Sequence, residues 1–104
     1  MINITTYENA SQVRFDIEAK KMFSNNKVEL IKLILKPGEE IGLHKNPFDV
    51  IFYVVFGKGV LTVESESIQV LANSTVFVDQ NSLRGWKNNS ENLLELLVVK
   101  LIGN

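Results

Sequence analysis

Residues 37–57 read Pro37-Gly38-Glu39-Glu40-Ile41-Gly42-Leu43-His44-Lys45-Asn46-Pro47-Phe48-Asp49-Val50-Ile51-Phe52-Tyr53-Val54-Val55-Phe56-Gly57. Pro37-Gly38 closes the run before it, because proline cannot donate to a ladder and glycine tolerates the reversal. Val50 to Phe56 is apolar throughout, which predicts a strand that must be covered on both faces, whether by a facing sheet and a further strand or by a second subunit. That favours a homodimer. The run is far too short to cross a bilayer as a helix, which needs roughly 20 residues, so no membrane partner is expected.

Working outward, the text breaks into short β-rich runs separated by turn residues at intervals of about ten, the pattern of a sandwich or barrel. Upstream, Asn25-Asn26 can supply a turn with positive φ before the run Lys27 to Lys36. Downstream, Gly57-Lys58-Gly59 reads as a hairpin turn feeding Val60 to Glu64, and Ser65-Glu66-Ser67 as a second turn into Ile68 to Leu71. Ala72-Asn73-Ser74 leads to a strand at Thr75 to Asp79, and Gln80-Asn81-Ser82 leads to one at Leu83 to Lys87. The polar stretch Asn88 to Asn92 precedes a last strand at Leu93 to Leu101. The first 26 residues alternate more weakly: Ile2 to Thr6 and Val13 to Ile17 read as strands, and Glu18 to Phe23 as a strand or a single helical turn. One domain is expected over residues 1–104, with packing strands in 1–26 and a barrel in 27–101.

Composition agrees with one core. A chain of 104 residues can bury roughly two-thirds of the surface its unfolded form exposes. The 11 basic and 12 acidic residues give a net charge of -1, which offers no electrostatic footprint for nucleic acid. Cysteine is absent, so disulfides, thiolate metal ligands and thiol nucleophiles are all excluded. Met1 to Ala10 lacks the charged and then apolar segments of a secretory signal, and a cytoplasmic protein is expected.

The segment from Gly38 to Gly57 resembles the first conserved motif of the cupin superfamily: a glycine, five residues, a histidine, one residue, a second histidine, then a glutamate and a closing glycine. Gly38, His44 and Gly57 fall on it. Asn46 takes the second histidine's place and Val50 the glutamate's, with Asp49 one residue early. Asn73 to Asn88 is similar to the second motif, with Asn73 and Asn81 at its glycines, Asp79 at its proline, Arg84 at its histidine and Asn88 at its asparagine. The resemblance covers Val28 to about Leu101. It implies an all-β fold, the cupin double-stranded β-helix, a jelly-roll-like β-barrel or sandwich.

Cupins hold a transition metal with three histidines and a carboxylate, donors that suit iron, manganese, nickel or zinc. Of that set His44 is kept, while Arg84 would bring a fixed positive charge to where a cation must sit. No metal and no other cofactor are therefore expected. Strand alternation that aims the family's ligands inward would also aim His44, Asn46 and Arg84 into the barrel mouth. Trp86, two residues beyond Arg84, should face the same side. The expectation is a pocket for a small anionic or polar ligand, with Arg84 as anchor, His44 and Asn46 as hydrogen-bond partners and Trp86 as an apolar wall. Two alternatives stand beside it. One is a metal-independent enzyme of the sugar epimerase or isomerase kind, with His44 as a candidate base assisted by Asp49 or Asp79. The other is a structural dimer whose barrel is plugged by Ile51 to Phe56. In a scaffold, Arg84 would pair with Asp79, Asp49 or Glu95, or point to solvent.

Overall fold

A computed structural model describes residues 1–14 and 16–103. Among the described residues ten strands are present: β1 (Ser11–Gln12), β2 (Glu18–Ser24), β3 (Glu29–Leu35), β4 (Glu40–His44), β5 (Asp49–Phe56), β6 (Lys58–Val63), β7 (Glu66–Leu71), β8 (Thr75–Val78), β9 (Arg84–Lys87) and β10 (Leu94–Leu101). They form a six-stranded sheet in the order β1-β2-β3-β10-β5-β8 and a four-stranded sheet in the order β4-β9-β6-β7. Every pairing is antiparallel. No helix among the described residues is long and apolar enough to cross a membrane.

Period-two alternation decides which side chains enter the space between the sheets. Ile31, Leu33 and Leu35 of β3, Val50, Phe52 and Val54 of β5, and Leu94, Leu96 and Val98 of β10 are all buried. Register lines them up in inward rows, Val54 beside Leu96 beside Leu33 and Phe52 beside Val98 beside Ile31. Leu35, Leu61, Leu94, Leu96 and Val54 are essentially inaccessible to solvent and close one end of the barrel. Each such side chain contributes roughly 1.5–3 kcal/mol of burial.

Several turns fall where positive φ is tolerated. Asn73 (φ 68°) and Asn81 (φ 63°) precede β8 and β9, where asparagine visits the left-handed region most readily after glycine. The second hairpin exists, but its turn is Glu64-Ser65, because Val63 pairs with Glu66 and Thr62 Oγ1 bonds Ser67 Oγ across the strands at 2.8 Å.

The first expected hairpin does not exist. Strand β5 pairs with β10 and β8, whereas β6 pairs with β7 and β9, so Gly57 carries the chain from one sheet to the other. Its φ is 81°, and a Cβ there would lie 2.2 Å from the Leu93 carbonyl oxygen. The N-terminal strands also differ from expectation. Ile2 to Thr6 forms no strand. Of the strand expected at 13–17, Phe15 lies outside the described residues, and the neighbours of Phe15 take bends or irregular backbone. Glu18 to Phe23 is a strand, β2, paired with β3.

The two faces of β5 are treated differently. Val50, Phe52 and Val54 are buried, Ile51 and Tyr53 half-buried, and Val55 and Phe56 exposed, so this chain covers the inner face fully and the outer one only in part.

Candidate functional site

The end of the barrel opposite the packed leucines holds a cavity of about 400 Å³, within the range of small-molecule sites, roughly 300–1,000 Å³. Of the segment Ile51 to Phe56, Phe52 lines it, so the expected plug of side chains is not there. His44, Asn46, Arg84 and Trp86 all line this one cavity. Arg84 and Trp86 are alternate residues of β9, and His44 of β4 is the register partner of Arg84, which sets both side chains on the same face. A register shift between Ile41 and His44 delivers the histidine to the rim. The strands approach closely here: a Cβ at Gly85 would lie 2.6 Å from the Ile41 carbonyl oxygen.

Arg84 is only 1% exposed. With the Asn46 amide oriented by its neighbours, its nitrogen donates to the Lys45 carbonyl at 3.1 Å and its oxygen accepts from Arg84 Nη2. Among the described residues no acceptor reaches Arg84 Nε or Nη1, or the indole Nε1 of Trp86. None of the carboxylates expected as scaffold partners neutralises the guanidinium. Asp49 Oδ1 accepts from the Gln80 backbone N–H at 2.8 Å, and Glu95 pairs with Lys32 at 3.2 Å. Burial lowers the guanidinium pKa from its ordinary value, yet arginine stays protonated in proteins. The result is a buried positive charge with unused donors beside the cavity. Trp86 packs edge-to-face on Phe52, with ring centroids 5.4 Å apart, and this contact holds the indole in place.

His44 Nδ1 lies 2.9 Å from the Gly42 carbonyl oxygen. A carbonyl can only accept, so Nδ1 carries the hydrogen and neutral His44 presents Nε2 as an acceptor. Among the described residues no carboxylate bonds to this imidazole, and the assisting Asp49 or Asp79 of the enzyme reading is not in place.

The donors at the family's metal positions do not fit a transition ion. Val50 is apolar and fully buried, Arg84 places a guanidinium there, and among the described residues no three His, Cys, Asp or Glu side chains converge. Coulomb repulsion between guanidinium and metal opposes binding.

The charged lining residues Arg14, Lys21, Glu29 and Lys100 escaped the sequence reading. Arg14 is paired with Asp16, while Lys21, Glu29 and Lys100 line the mouth from the six-stranded sheet. Glu29 lies 3.6 Å from each lysine. The signal was available: Glu29 continues the inward positions 31, 33 and 35, and Lys100 continues 94, 96 and 98.

Asn88 belongs to the frame. It is fully buried, and its amide nitrogen donates to the Leu35 and Asn92 carbonyls at 2.9 and 2.8 Å. Its side-chain oxygen accepts from Ser90 N and Oγ, tying the loop before β10 to the end of β3.

Two antiparallel sheets wrapped round a cavity open at one end define a double-stranded β-helix barrel, the architecture of small ligand-holding domains. The cupin domain model, Cupin_2, matches residues 32–100, and the chain belongs to the cupin family. It is 29% identical over 80 residues to an oxalate-binding protein of Thermotoga maritima, across 75% of this chain and 66% of that one. The fold is similar to a crystal structure from the same organism described as a predicted oxalate decarboxylase, with TM-score 0.85 and 22% identity over 96% of this chain and 98% of that one. It is also similar to an uncharacterised conserved protein with a double-stranded β-helix domain from Klebsiella pneumoniae, with TM-score 0.84 and 16% identity over 100% and 93% of the two chains.

Proposed function

We propose that this barrel binds a small carboxylate, with Arg84 as anchor, Asn46 holding the guanidinium in place, Trp86 as wall and additional donor, and His44 at the rim. The observation that carries the reading is the buried Arg84 guanidinium whose Nε and Nη1 have no protein acceptor. A buried charge left unpaired costs several kcal/mol, and a carboxylate offers two acceptor oxygens matched to the guanidinium fork. The likeness to an oxalate-binding protein supports the same ligand chemistry and makes oxalate the natural probe. A catalytic reading with His44 as base has weaker support, because its Nδ1 is spent on Gly42 and no carboxylate among the described residues bonds to it. The barrel acts as a homodimer in the same reading, supported by the partly exposed apolar outer face of β5.

Titration calorimetry with oxalate tests the anchor. Wild-type protein should bind, and Arg84→Gln should weaken binding about 100-fold, the equivalent of two charge-assisted hydrogen bonds. Equal affinity in a folded Arg84→Gln protein would remove Arg84 from the site.

A further inference from the structure

The cavity has a second polar wall. Lys21 of β2 and Lys100 of β10 share the single carboxylate of Glu29, each at 3.6 Å, leaving one positive charge in excess. These side chains keep a third or less of their surface exposed, apart from Lys21 at 38%. Register explains their presence: Lys100 is opposite Glu29, and Lys21 is opposite Ile31 before the irregularity that turns Phe23 outward.

Arg84 stands on the other sheet. Among the described residues it forms no ion pair with Glu29 or any other carboxylate, although Glu29 lines the same cavity. The guanidinium and the Glu29 carboxylate therefore share the chamber without touching. The same cavity is lined by Ile31, Ile41, Phe52, Trp86 and Val98, apolar surface that neither carboxylate of a two-carbon diacid would use. Oxalate seated on Arg84 keeps both charges at one wall and leaves most of the cavity of about 400 Å³ unfilled.

Building on the carboxylate reading above, we infer that the site is shaped for a longer dianion, with one acidic group on Arg84, an apolar middle, and a second acidic group on Lys21 and Lys100. The ligand class is a dicarboxylate, or a carboxylate with another terminal anion, whose charges are separated by several methylene-sized units. Glu29 acts as the spacer that holds the two lysines together when the site is empty of ligand charge.

A length series reads this directly. Oxalate, succinate, adipate and the monoacid hexanoate are titrated into wild-type, Lys21→Met, Lys100→Met and Arg84→Gln proteins, with a thermal melt of each to show that it is folded. Succinate or adipate should bind more tightly than oxalate and hexanoate. Each lysine substitution should weaken the longer diacids about tenfold, a single favourable charge contact, and leave hexanoate unchanged. Oxalate binding as tightly as the longer diacids, or lysine substitutions weakening hexanoate equally, overturns the second subsite while the Arg84 carboxylate reading stands. If Arg84→Gln binds every acid as wild type does, the carboxylate reading itself falls, and this inference with it.

Discussion

Arg84 is the residue on which stability and binding pull in opposite directions. A guanidinium with two nitrogens unpaired in a buried position forgoes hydration without full compensation, so the empty protein is less stable than it could be. Arg84→Met keeps much of the volume and removes the charge. Urea denaturation should show that variant about 1–3 kcal/mol more stable than wild type, in line with buried ionic groups replaced by apolar ones, while oxalate no longer shifts its midpoint. A variant less stable than wild type would mean that the guanidinium is already satisfied. Arg84, His44 and Trp86 were legible in the sequence because two-residue spacing and the family frame fix their direction. Glu29 and Lys100 share the inward parity of their strands, but a charge at the end of an apolar run is ordinarily a solvated strand end, so parity alone did not single them or Lys21 out. Only the pairing of β3 with β2 on one side and β10 on the other turns these three into a wall.

At the scale of elements, local turn chemistry was readable and partner choice was not. Asn73 and Asn81 sit at positive φ where asparagine is expected, but Gly57-Lys58-Gly59 gives the same local signal for a hairpin as for a crossing between sheets. What decides is that β10, distant in sequence, occupies the edge of β5. The segment before β1 shows the same dependence on distant contacts. Tyr7 reaches β2, where its hydroxyl donates to the Glu18 carboxylate, its carbonyl accepts from Lys20 Nζ at 2.8 Å, and its ring lies 4.6 Å from that ammonium. Burial, then the hydrogen bond to Glu18 and the negative charges of Glu18 and Glu95, hold the phenol well above its usual pKa. An unfolded tyrosine ionises near pH 10, so above that pH the unfolded chain releases a proton that the folded chain retains. Stability therefore falls as pH rises through the alkaline range, and is unaffected by this group below it. Tyr7→Phe should flatten that alkaline loss in thermal melts taken from about pH 9 to 11. Parallel curves for the two proteins would show that Tyr7 is not held by Glu18.

For the whole molecule, the six-stranded sheet carries a feature that no single strand displays. Phe23 pairs with Leu30, Leu30 with Val99, Val99 with Ile51 and Ile51 with Phe77, so one outward row crosses five strands without a charge. Phe77 is 57% and Phe23 47% exposed. Outward rows of an antiparallel sheet that face water are normally polar, and a continuous apolar patch marks an association surface. A twofold dimer uses the same patch on both copies, and a row apolar across five strands is complementary to itself without any charge to match. The homodimer proposed from Val50 to Phe56 would thus be built through this face, away from the cavity. Sedimentation equilibrium should give twice the chain mass at micromolar concentration, and Phe77→Lys, at an edge strand whose ring contributes little to the core, should halve it without altering oxalate affinity. Ile68→Lys, a comparable change at an exposed residue of the other sheet, should leave the mass doubled. A wild-type monomer, or a Phe77→Lys protein that still sediments as a dimer, would show that the row does not join two copies.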